Sequence, residues 1–162
     1  MLSKEEFKDI FDIHFDEIRS FVFYRCGDGE IASDVAQDVF MKIWEKRSAL
    51  NGNHIKPLLY KIANDCFVND YREMQHRMDF EQSLTTEDEG DLSPEDEMLF
   101  GESVAAYAKA LEQLPEKQRT VFLMSREDGM KYTEISECLC ISVKAVEKNI
   151  TAALRFLRTK LL

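Results

Sequence analysis

What the 162-residue chain lacks narrows its class first. No apolar run approaches the ~18 residues that a membrane span requires, so a water-soluble, cytoplasmic protein without membrane insertion is expected. The N-terminus carries Lys4, Glu5 and Glu6 and has neither the basic start nor the apolar centre of a signal peptide. Four cysteines, Cys26, Cys66, Cys138 and Cys140, fall short of disulfide-scaffold density and read as reduced thiols. Cys138 and Cys140 stand one residue apart, which is not a usual zinc spacing, and His14, His54 and His76 lie far from them in sequence. His14 falls on an apolar helix face and reads as a packing residue. No nucleophile–base pair, phosphate loop or metal-ligand cluster is present, so no catalytic residue, no metal and no cofactor is expected.

Basic residues are missing from one long segment. Between Asp79 and Glu102 there are ten acids and no lysine or arginine, which accounts for the whole net charge of −10. The first fifty residues hold seven basic and eleven acidic groups, and residues 113–162 hold nine and six. An acidic chain overall argues against nucleic acid, but the basic end does not.

Strand-type alternation is absent, whereas helical spacing recurs, so the fold class is all-α. A first helix opens at Ser3 with Glu6 three residues on, a capping-box pattern, and buries Phe7, Ile10, Phe11, Ile18, Phe21 and Val22 before residues 27–29 (Gly-Asp-Gly) end it. A second spans about 31–47, with Ala32, Val35, Ala36, Val39, Phe40 and Ile43 on one face. Pro57 suits the first position of a third, whose buried side is Leu59, Ile62, Ala63, Cys66 and Met74. Residues 85–91 offer no apolar group to offset ordering entropy and read as flexible. Ser93-Pro94 starts a fourth helix, Pro115 a fifth that Gly129 closes, and two more cover about 133–139 and 143–160. Two small helical domains result, 1–78 and 94–162, joined by an acidic flexible linker, 79–93.

Residues 132–150, YTEISECLCISVKAVEKNI, form a helix-turn-helix pattern. Ile135 and Leu139 bury the short helix, Ile141 plugs the turn, and Ser142 caps the next helix, whose inner stripe is Val143, Val146, Ile150, Leu154 and Leu157. From Ser142 onward there are five bases and one acid. Lys144, Glu147, Lys148 and Thr151 face outward, types that suit phosphates and base edges in a major groove.

This tail, with its lead-in LPEKQR at 114–119, resembles region 4 of a bacterial extracytoplasmic-function (ECF, group 4) RNA polymerase sigma factor. The front half resembles region 2 of the same family, in ASDVAQDVFMKIW at 32–44 and LYKIAND at 59–65. The resemblance implies no covalent chemistry. It implies a factor that binds core RNA polymerase, through the clamp and flap of the large subunits, and directs initiation by recognising the −35 and −10 elements of promoter DNA. It also implies control by an anti-sigma factor. By similarity the polymerase-binding surface is Asp34, Gln37, Asp38, Met41, Lys42 and Glu45. The −35 surface is Ser142, Lys144, Ala145, Glu147, Lys148, Asn149 and Thr151. The −10 surface is Asn53, Lys56, Tyr60, Lys61, Asn64, Asn69 and Arg72, types that suit a flipped base and a single strand. Tyr60 and Tyr71 fit a core edge as well as a stacking platform. The family more often has Asn where Asp65 stands, Asp where Asn69 stands, and Gly where Cys140 stands. The acidic linker fits equally a polyanion in the polymerase RNA channel and a solubilising tether. Two other readings compete: a response-regulator output domain, which requires an α/β receiver, and an all-helical adaptor that binds proteins only.

Overall fold

The structure, a computed structural model, describes residues 1–71 and 99–162. Helix α1 spans Lys4–Cys26. Its start is a closed capping box: the Glu6 N–H donates to Ser3 Oγ at 3.1 Å and the Ser3 N–H donates to Glu6 Oε2 at 2.8 Å. Gly27, at φ 71°, ends it in the left-handed conformation.

Helix α2, Gly29–Glu45, starts and ends two residues before the span drawn from periodicity. The reason lies in Asp28, whose carboxylate accepts the N–H groups of Glu30 (2.9 Å) and Ile31 (3.2 Å). Gly29 therefore opens this helix instead of closing the one before. A 3₁₀ turn at Arg47–Ala49 follows. Helix α3, Ile55–Cys66, begins two residues ahead of Pro57, because no N–H in a first helical turn has an intrahelical partner and proline is tolerated anywhere in it. A π turn, Phe67–Tyr71, extends it.

The second group is α4 (Leu99–Gln113), α5 (Glu116–Arg126), α6 (Tyr132–Leu139) and α7 (Val143–Leu161). Among the described residues there is no strand. Met74, Arg72, His76, the acidic linker at 79–93 and the helix start at Ser93-Pro94 lie outside the described residues.

Helices α1–α3 bury Ile18, Phe21, Val22, Val35, Val39, Ile43, Leu59 and Ala63. At roughly 2 kcal/mol for each large side chain fully removed from water, this seam holds the front half together. Phe11 is 37% exposed and rims the seam rather than filling it. It joins Phe7 and Phe15 in an aromatic row that meets Phe40 and Trp44 of α2. Trp44 stands edge-on to Phe7 at 5.0 Å, with the Arg47 guanidinium 3.9 Å from its ring centre.

The two groups do not keep separate cores. Val121, Met124, Met130, Ile135, Cys138, Val146 and Ile150 belong to the same continuous apolar cluster as the α1–α3 seam. Among the described residues, Ala110, Leu114, Phe122, Leu123, Ala153 and Leu157 form a cluster apart. Helix α1 packs on α5, and α3 packs on α6.

Cys140 sits between α6 and α7 at φ 55° and ψ 44°, left-handed without being glycine. For a residue with a Cβ that conformation costs about 1–2 kcal/mol, part of which glycine's greater chain entropy would take back. Cys140→Gly should therefore stabilise the protein by roughly 0.5–1 kcal/mol in urea unfolding with an unchanged m-value.

Candidate nucleic-acid interface

Ser142 fixes the start of α7, its Oγ accepting the Ala145 N–H at 3.0 Å. The preceding turn is tied back onto α6 by Ile141 N–H to Ser136 O (3.1 Å) and Ser136 Oγ to Ile141 O (2.6 Å). These bonds set the angle at which α7 leaves the body. Its buried stripe is Val146, Ile150, Ala153 and Leu157. Val143 and Leu154, expected in that stripe, are 37% and 38% exposed. At 100° per residue they fall roughly 50° and 70° from the centre of the seam, whereas Ala153 falls within about 30° of it.

Opposite the stripe, Ser142, Lys144, Ala145, Glu147, Lys148 and Thr151 line one open, shallow face together with Arg155. Arg155 was not selected from the sequence. The signal was available, since it lies four residues beyond Thr151 and seven beyond Lys148, spacings that share a helix side. Asn149 does not join this face: it is half-buried, and its Nδ2 donates to Ala145 O at 2.9 Å, folded back along its own helix.

The residues expected at a −10 strand divide. Asn53, Lys61 and Asn69 are exposed. Asn53 sits in a turn where its N–H donates to Asn51 Oδ1 at 3.0 Å. Tyr60, however, is 1% exposed, which settles it as core: its ring meets Phe21 edge-on at 5.0 Å and its hydroxyl lies 4.0 Å from Met130 Sδ. Burial pushes its phenol well above the usual range. Lys56 Nζ lies 3.7 Å from both Glu17 and Glu134. Asn64 accepts a hydrogen bond from Arg25. Arg72 is outside the described residues.

On α2, Asp34, Gln37, Asp38, Met41, Lys42 and Glu45 are all exposed along one side, Met41 by 61%. His14 is half-buried, its Nδ1 2.9 Å from Glu17. Of the two neighbouring thiols, Cys138 is buried, and desolvation pushes it up to about 11, while Cys140 is exposed. Among the described residues, no group of three or more His, Cys, Asp or Glu is placed to hold a metal ion. None of their helices is long and apolar enough to cross a membrane.

An all-helical chain that ends in a helix-turn-helix with an open, cation-bearing outer face belongs to the class of sequence readers of DNA. The sigma-70 region 2 family matches residues 10–77, and the sigma-70 region 4 family matches residues 105–157. The chain is 30% identical to the RNA polymerase sigma-H factor of Pseudomonas aeruginosa, over 78% of this chain and 70% of that one. It is 27% identical to the ECF RNA polymerase sigma factor SigW of Bacillus subtilis (98% and 90%) and 26% identical to the ferric citrate uptake sigma factor FecI of Escherichia coli (91% and 86%). Its fold is that of the sigma factor RpoE from Bartonella quintana, solved with the anti-sigma factor NepR, at a TM-score of 0.71 and 20% identity over 97% of both chains. CnrH, solved with the cytosolic domain of CnrY, gives 0.67 at 20% identity over 98% of this chain and 89% of that one. The chain belongs to the sigma-70 family, in its extracytoplasmic-function group.

On the α7 face, Lys144→Ala, Lys148→Ala and Arg155→Ala should each weaken binding to −35 duplex. Each lost phosphate contact should lower the slope of log K against log salt by about one, measured by fluorescence anisotropy across a salt series.

Proposed function

We propose that this protein is an alternative sigma factor that binds core RNA polymerase and directs initiation at a particular set of promoters, with each of its surfaces given a role. The observation that carries the reading is the open cationic face of α7 on a chain whose region 2 and region 4 matches stand in that order. Ser142, Lys144, Ala145, Glu147, Lys148 and Thr151 read the −35 element, with Arg155 adding a phosphate contact; Asn149 holds the helix from within. Lysine and arginine supply the sequence-independent attraction, and Glu147 is the group able to accept from a cytosine amine. The exposed side of α2, with Met41 among mixed charges, docks on the polymerase clamp, and region 4 takes the flap. Such a face suits a partner interface because methionine adapts to an irregular surface while charges fix register. Asn53, Lys56, Lys61, Asn64, Asn69 and Arg72 serve the opened −10 strand, with Tyr60 packed in the core beneath them.

The work is binding alone, carried out in the cytoplasm, where polymerase and promoter meet. RpoE was solved with an anti-sigma factor and CnrH with the cytosolic domain of CnrY. A protein of that kind, masking the same faces, is the regulator that fits this chain.

The deciding experiment mixes purified protein with bacterial core polymerase and measures transcription from the chain's own upstream region. Specific transcripts that depend on the protein are expected. Asp38→Ala combined with Met41→Ala should weaken polymerase binding by roughly tenfold or more, given that interface hot spots contribute ~2 kcal/mol each. Transcription unaffected by those changes, and by the loss of both Lys144 and Lys148, would remove the assignment.

A further inference from the structure

The outward face of α7 holds one group that attraction to DNA does not explain. From Ser142 to the last residue there are five basic side chains and a single acid, Glu147. Glu147 is exposed and lines the open face together with Lys144, Lys148, Thr151 and Arg155. Among the described residues its carboxylate makes no ion pair and no hydrogen bond, although Lys144 stands one turn before it. The charge is therefore left unsatisfied by the protein itself.

Its position along the helix says what it meets. Ser142 fixes where α7 begins, its Oγ accepting the Ala145 N–H. At 1.5 Å per residue, Glu147 stands about 6 Å beyond Val143 and Arg155 about 18 Å beyond it. A recognition helix meets base edges with its N-terminal residues, so Glu147 is among the groups that enter the groove and Arg155 lies past them.

A carboxylate between two phosphate backbones is repelled by every duplex, because like charges brought together oppose binding. Only a donor on a base edge offsets that repulsion. In the major groove cytosine offers its N4 amine, and adenine its N6 amine beside the N7 acceptor. Guanine and thymine present acceptors, with a methyl group on thymine. Lys144, Lys148 and Arg155 attract duplex of any sequence through its phosphates, whereas the lone acid is favourable on some sequences and unfavourable on the rest.

We propose that Glu147 is a specificity-determining residue of the −35 surface, selecting an amine-bearing base where it meets the element, cytosine first and adenine second, and excluding guanine and thymine there by repulsion. The proposal rests on the sigma-factor reading above and adds the chemistry of one position in the element. It makes an unusual demand: removing Glu147 must strengthen binding to unrelated DNA while weakening the choice among bases.

Full-length wild type, Glu147→Ala and Glu147→Gln are each used to select from a randomised duplex pool at low ionic strength. Each selected duplex is then tested by fluorescence anisotropy with every base pair replaced in turn by the other three. Both replacements are good helix formers at an exposed site, and Gln keeps the length of the side chain while losing its charge. Wild type should show one position at which cytosine is preferred over guanine and thymine by roughly tenfold to a hundredfold, with adenine between. Glu147→Ala should lose the preference at that position alone and bind unselected duplex more tightly than wild type. Glu147→Gln should favour adenine there, since an amide pairs with adenine N6 and N7. Enrichment of the same sequences with the same preferences by all three proteins overturns the selector and leaves the −35 surface standing. So does a Glu147→Ala protein whose affinity changes equally on every duplex. Wild type that enriches no sequence overturns both the selector and the assignment of α7 to the −35 element. Failure to support transcription, with the cytosine preference and its loss in Glu147→Ala intact, overturns the sigma-factor reading and upholds the selector.

Discussion

One guanidinium organises the joint between the two halves. Among the described residues Arg119 has no carboxylate partner; it is held by carbonyl oxygens, those of Tyr24 and Arg25 at the end of α1 and those of Leu114 (3.1 Å) and Glu112 (3.4 Å) at the end of α4. The last carbonyls of any helix lack partners within it, and the macrodipole makes that end negative. A single cation thus satisfies two helix ends at once and sets α4 and α5 against α1. Tyr24–Asp128 and Arg25–Glu116 start from the same two residues of α1, so the polar contacts follow from where that helix end is held.

The joint combines two kinds of contact, since the apolar cluster of α1–α3 continues through it to Val121, Met124, Met130 and Ile135 and polar groups border that apolar part. Within the halves, burial is mostly of aliphatic and aromatic side chains. Across the joint, much of the contact is charged or hydrogen-bonded and half-exposed, conditions under which each ion pair contributes little. Asp128 weakens it further. Its Oδ2 is buried without a hydrogen-bond partner among the described residues, and desolvation raises the carboxyl above its usual range despite the Tyr24 hydroxyl that pulls it down. Contacts between domains of one chain are generally of this more polar sort, and relative motion is the ordinary expectation for them. The apolar portion of the joint includes Tyr60 of α3, whose hydroxyl lies 4.0 Å from Met130 Sδ.

Much of this architecture was legible in the residues because it depends on local chemistry. Ser3 with Glu6 and Ser142 before Ala145 are each set by a few neighbouring groups and stand where spacing put them, while the left-handed turn at Cys140 falls where the family resemblance has glycine. The α7 face was likewise readable from periodicity, apart from Arg155, which was passed over at a spacing that includes it, and Asn149, whose amide turns inward to its own helix. Asp28 was overlooked as a cap because the glycines beside it look like a terminator. What spacing could not supply was the joint. Tyr24 and Asp128 are 104 positions apart, and nothing in either neighbourhood marks them as partners. Tyr60 illustrates the same limit: an aromatic on a helix edge serves as core or as stacking platform depending on what lies across from it, and here that is Met130 from the other half.

Trp44 is the chain's single tryptophan, and it sits on α2 between Phe7 and the Arg47 guanidinium, on the helix that carries the exposed polar side. Its indole is half-buried, so it borders both the aromatic row and water. Excitation at the red edge of protein absorbance therefore addresses one site only, within two turns of Met41 and Lys42. The protein thus carries its own optical reporter of what settles against α2, with no dye attached and no residue replaced.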